Sequence, residues 1–163
     1  MQANYCFLCV CVQFRIKNHV NLRYKTFGMH ITRRETFNAA HRLYRPDWSD
    51  EKNLEVFGKC SNPNWHGHNY VLYVTVKGDV SEETGFVLNL KTLSKIIDTF
   101  VLQKLDHKNI NTEVDFMRGK LASTENLAIG IWEQIEGHIS DLGAQLHCVK
   151  IAETEKNFVE YFG

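Results

Sequence analysis

A chain of 163 residues is long enough to bury one core and short enough to be a single domain. Its 44% hydrophobic and 23% charged residues suit an ordinary globular protein. Nineteen Lys and Arg cancel nineteen Asp and Glu, leaving no cationic excess to neutralise a phosphate backbone, so nucleic acid is not an expected partner. Five cysteines, an odd number, make no disulfide framework and fit a reducing, cytoplasmic setting.

The first 28 residues read as an N-terminal extension of unknown role, and residues 29–163 as the functional domain. The segment YCFLCVCVQF is too short to span a membrane and lacks the basic start and cleavage site of a secretory signal, so no membrane role is expected. Cys6, Cys9 and Cys11 have apolar spacers and no matching second half, which argues against a metal knuckle. An edge strand, a tail and an extension ahead of a start at Met29 all fit this segment.

HITRRETFNAAH (30–41) predicts a strand ending near His41. RRET (33–36) matches a basophilic kinase site at Thr36, but within a strand it reads as surface charge. DWSDEKNLEVFGKCSNPNWHG, dense in Asp, Asn, Ser and Gly, predicts a long loop. HNYVLYVTVKGDV (68–80) alternates as a half-buried strand does, and SEETG turns into a short partner, FVLNL. A helix is predicted from about Leu90 to Leu105, capped by Asn89, with Leu90, Leu93, Ile97, Val101 and Leu105 on one face. A second helix starts at STEN, capped by Ser123 or Thr124, with Ala128, Ile131, Trp132, Ile135 and Ile139 as its apolar stripe. LHCVKIAE and FVEYF flank TEKN as a hairpin. The fold class is therefore α+β, with a four-stranded antiparallel sheet whose open edges favour oligomerisation.

Eight histidines invite a metal. His66 and His68, two apart in a strand, present both imidazoles to one face, with no bulk at Gly67 between them. His41, ending the first strand, is the natural third ligand if the strands pair. Three neutral nitrogens with an open fourth position describe a catalytic rather than a structural zinc site. Ordinary turn histidines remain the competing reading. Cys60 can be a fourth ligand, an inert thiol or a base, with Lys59 and a nearby dication favouring its thiolate. Asp106 and His107 form a carboxylate–imidazole pair suited to proton relay or to a plain helix end. Glu153, after an apolar strand, is either a surface group or an anchor for a donor-rich ring.

FNAAH, VFGKCSNPNWHGHNY, LDHKNIN, STEN and AETEKN occur in the order and at the distances of the 6-pyruvoyltetrahydropterin synthase family, which the chain resembles from about Ile31 to its end. Five residues separate Cys60 from His66, as in the eukaryotic-type synthases; the similar bacterial 6-carboxytetrahydropterin synthases typically have three. The resemblance implies the tunnelling fold, an antiparallel sheet with two helices, its subunits assembling into a β-barrel trimer and two trimers into a homohexamer. It implies a lyase of tetrahydrobiopterin biosynthesis that converts 7,8-dihydroneopterin triphosphate to 6-pyruvoyltetrahydropterin plus triphosphate, with no external reductant. It implies one zinc per subunit on His41, His66 and His68, Cys60 as general base, and Asp106 and His107 as a relay lent by a neighbouring subunit. Glu153 is implied as pterin anchor, with Thr124 and Glu125 near the same ring. Arg42 and Lys59 are the candidate cations for the triphosphate. Members are often described as magnesium-dependent too, and nothing in the sequence marks a magnesium site. Related enzymes that form 6-carboxytetrahydropterin or cleave the sepiapterin side chain, and a binding scaffold closed by Cys60 as fourth zinc ligand, are the competing functions.

Overall fold

In the computed structural model, which describes residues 28–163, two long strands organise the chain. The cysteine-rich segment and all but the last residue of the expected N-terminal extension lie outside the described residues. Strand β1 (Met29–His41) pairs antiparallel with β2 (His66–Gly78) along its whole length, from Met29 opposite Gly78 to His41 opposite His66. Lys108–Asn109 forms a two-residue strand, β3, parallel to β1. Strand β4 (Gln145–Ala152) pairs with β2, and β5 (Phe158–Tyr161) with β4, both antiparallel. The sheet order is β3-β1-β2-β4-β5.

Alternation decides which face is buried. Phe37 and Ala39 of β1 and Tyr70, Leu72, Val74 and Val76 of β2 are buried, whereas Thr32, Arg34, Thr36 and Asn38 are exposed on the opposite face. Two helices complete the core. Helix α2 starts as Leu90–Ile97, widens through a π-helical turn at Asp98–Leu102 and ends at Gln103–Leu105; Asn89 Oδ1 caps it by accepting the Lys91 amide at 2.9 Å. Helix α3 (Thr124–Ser140) is capped by Ser123, whose hydroxyl accepts the Asn126 amide. Leu93, Ile97, Val101 and Leu105, with Leu127, Ala128, Ile131, Ile135 and Ile139, are at most 1% exposed. Each such leucine or isoleucine contributes about 1.5–3 kcal/mol by burial, opposed by the conformational entropy lost on ordering. No helix among the described residues is long and apolar enough to cross a membrane.

Several expectations are corrected. Residues 47–67 are not one loop: Asp50–Phe57 form helix α1, capped by Ser49 and carrying Asp50 and Glu51 in its first turn, and Gly58–Ser61 follow as a 3₁₀ turn. The helix buries only Asn53 and leaves Leu54 and Val56 exposed, so it has no apolar stripe to read. FVLNL is no strand; Leu88 packs into the core and Leu90 opens α2, 47% exposed and off the stripe. The four-residue steps of that stripe drift around an ideal α-helix, and the wider π turn brings them back into line. The sheet is mixed and five-stranded, because LDHKNIN supplies β3.

Candidate metal centre and active site

Three imidazoles meet where β1 ends and β2 begins. His41 and His66 are direct cross-strand partners, and His68 shares the face of His66 two residues on. One ring nitrogen from each lies within 4.8 Å of the other two. The glycine between them matters: a Cβ on Gly67 would sit 3.1 Å from the Ala39 carbonyl oxygen, so a side chain there would push the strand ends apart.

The tautomer of His41 follows from its partner. Its Nδ1 is 2.8 Å from the Ala122 carbonyl, which can only accept, so Nδ1 carries the proton and Nε2 keeps its lone pair. His41 Nε2, His66 Nδ1 and His68 Nε2 are buried and have no hydrogen-bond partner among the described residues. Burial, the largest influence on each, depresses all three pKa values. Three neutral imidazoles that converge, each with a buried nitrogen lacking a hydrogen-bond partner, are a donor set that fits a metal ion of imidazole preference. Cys60 is not in the group.

Below the ordinary imidazole value of 6.5 the unfolded chain takes up protons that these histidines resist in the folded chain. The metal-free protein therefore loses stability as pH falls below 6.5, whereas protons compete with metal for the folded site only below the depressed values. Metal content measured after dialysis at stepped pH should hold constant down through 6.5, where ordinary imidazoles already protonate, and decline only at lower pH.

A cavity of about 400 Å³ opens beside the cluster, lined by His41, Cys60, Thr124, Glu125, Glu153 and Lys156. Cys60 is half-buried in the 3₁₀ turn. That turn is tied to the end of β1: the Leu43 amide donates to the Cys60 carbonyl at 2.8 Å, and Arg42 Nε donates to the Ser61 carbonyl at 2.6 Å. Glu153 follows β4. Its Oε1 accepts the Thr124 hydroxyl at 3.1 Å and lies 3.4 Å from His41 Nε2 and 3.6 Å from His68 Nε2.

Asp106 and His107 stand elsewhere. Asp106 Oδ1 accepts the Asn38 amide at 2.8 Å, and Oδ2 lies 3.0 Å from His107 Nδ1. The Asn38 amide, then His107, hold the Asp106 carboxyl below its usual range. His107 sits at φ +59°, its amide on the Asn38 carbonyl and its side chain 77% exposed. It lines a second cavity, of about 620 Å³, with Gly67, His68 and Lys108. Within one chain His107 and Cys60 thus line different cavities. Arg42 and Lys59 line a third, with the Arg42 guanidinium stacked over Tyr44; the cation on the Cys60 cavity is Lys156, which sequence reasoning missed.

The model of the 6-pyruvoyl tetrahydropterin synthase family matches residues 30–163. The chain belongs to this family. Over 133 residues it is 47% identical to the 6-pyruvoyl tetrahydrobiopterin synthase of Drosophila melanogaster, covering 82% of this chain and 79% of that one. The 6-pyruvoyl tetrahydrobiopterin synthase of Homo sapiens is 44% identical over 133 residues, 82% of this chain and 90% of its own. The solved 6-pyruvoyl tetrahydropterin synthase of Caenorhabditis elegans superposes with a TM-score of 0.78 at 39% identity, covering 83% of this chain and 96% of that chain. In this member of the 6-pyruvoyl tetrahydropterin synthase family, the histidine cluster and the Cys60 cavity both fall inside the matched residues.

Proposed function

We propose that this chain converts 7,8-dihydroneopterin triphosphate to 6-pyruvoyl-5,6,7,8-tetrahydropterin and triphosphate in the cytoplasm, with zinc on His41, His66 and His68. The observation that carries the reading is the three imidazoles, one ring nitrogen of each within 4.8 Å of the other two, beside a cavity holding a thiol and a carboxylate, in a chain of this family. Residues 29–163 are the catalytic domain.

Zinc there supplies Lewis acidity that loosens the carbon-bound protons of the substrate's hydroxylated side chain. Cys60, as thiolate, takes such a proton. Glu153 accepts two parallel hydrogen bonds from the amino-pyrimidine edge, with Thr124 and Glu125 flanking the ring. Asp106 orients His107, which donates its own proton to the ring as the electron pair left by that deprotonation shifts into it; loss of the next carbon-bound proton then expels triphosphate with its bonding pair and leaves an enol that tautomerises to the dicarbonyl side chain. No nicotinamide or other reductant is consumed.

The working unit is a homohexamer of two barrel trimers. Two observations support it. The outer edges of β3 and β5 are unpaired among the described residues. Cys60 and His107 of one chain face separate cavities, as expected if His107 serves the site of a neighbouring copy. The competing scaffold reading needs Cys60 as fourth ligand, and Cys60 lies outside the ligand cluster.

The test is incubation with dihydroneopterin triphosphate and identification of the pterin formed. The 6-pyruvoyl product is expected; a 6-carboxy product, or none, overturns the reading. Assembly is tested by mixing Cys60→Ala and His107→Ala chains, each inactive alone, and reassembling them. Activity should return in part, whereas a fully active monomer in sedimentation contradicts the shared site.

A further inference from the structure

Tyr70 is 1% exposed, and its hydroxyl is buried without a hydrogen-bond partner among the described residues. Its ring stacks on Phe37 at 4.9 Å and meets His68 edge-on at 5.5 Å and His41 at 6.2 Å. Packing alone would be served by phenylalanine, which fills the same stack without stranding an O–H in the core, a costly arrangement. The β2–β4 register indicates what the hydroxyl is for. Leu72 faces Ile151 and Val71 faces Ala152, the last pair of that register; Glu153 follows directly, and its carboxylate lies beside His68 and Thr124, on the same helix-covered face as Tyr70.

Glu153 Oε1 accepts the Thr124 hydroxyl and lies against the ring nitrogens of His41 and His68. With an ion on those lone pairs, the carboxylate would keep Thr124 and be free to face the substrate ring. The protonated donor on the same face is then Tyr70. Resting on the proposed pterin reaction, we infer that Tyr70 is a positioning residue, its hydroxyl donating to the Glu153 carboxylate and fixing the carboxylate plane for the amino-pyrimidine edge.

The test is a double-mutant cycle of Tyr70→Phe and Glu153→Gln in the full chain, with neopterin, a fluorescent pterin without triphosphate, as binding probe. A hydrogen bond to a charged group is lost, so Tyr70→Phe should weaken neopterin binding about tenfold and raise KM similarly while kcat changes less. Metal content should be unchanged. In the Glu153→Gln background the same change should have almost no effect. Wild-type neopterin affinity in Tyr70→Phe, with a raised Tm, would mark a mere packing residue and overturn the inference. Additive losses would overturn it too, placing the hydroxyl on another acceptor. A parent chain that binds no neopterin would fail before any variant is made, and would overturn the pterin reading and this inference together.

Discussion

Cys60→Ala should turn over at least about 10²-fold more slowly than the parent chain, and up to about 10⁴-fold, the usual worth of a general base. It should do so with its metal intact. The thiol is outside the histidine cluster, so its removal takes no ligand away. The turn that carries it is held by backbone and Arg42 contacts, none of which uses the sulfur. Substrate affinity should change little, since Glu153 and Thr124, which line the same cavity, are untouched. One equivalent of iodoacetamide should abolish activity of the parent, and substrate should protect. Metal analysis and turnover of Cys60→Ala, measured on one preparation, decide the role. Loss of metal along with activity would make Cys60 a ligand and leave His107 as the base.

His66→Ala and His68→Ala should each lose both metal and activity while the fold survives. Two nitrogens cannot hold the ion as three do, and a catalytic metal is not what keeps a core of this size together. Both histidines open β2, and the pairing from Phe37 opposite Tyr70 to Met29 opposite Gly78 does not depend on them. His41→Ala is a less clean probe, because that ring is 2% exposed and bonded to the Ala122 carbonyl, so truncation also leaves a void and an unsatisfied acceptor. Circular dichroism should be unchanged in the two β2 variants. Full metal content in either would remove that residue from the ligand set.

How far the site was legible depended on periodicity. His41 was legible as third ligand on the condition that its strand pairs with the one opened by His66 and His68, and the structure pairs them and brings the three imidazoles together. The helices with apolar stripes were equally readable, down to the Asn89 cap. Helix α1 was not, because a helix that buries one asparagine carries no apolar period. The signal that existed was Ser49 followed by Asp50 and Glu51, a helix start masked by the neighbouring turn residues. Strand β3 was invisible for a different reason: two residues cannot show a period, and its parallel pairing is imposed by the loop that returns to Asn38 and Ala40. Lys156 and the cavity it lines depend on how the β4–β5 turn folds over α3, a tertiary fact with no local signature. Tyr70 could have been found, since it continues the same alternation as His66 and His68.

The central claim is that one metal on His41, His66 and His68 is required for turnover. The most direct test strips the chain with chelator and titrates zinc back, reading turnover of dihydroneopterin triphosphate against metal bound. Activity should be absent at zero metal, rise in proportion and level off at one zinc per chain. Full turnover by the stripped chain, or a plateau unrelated to metal bound, would contradict it.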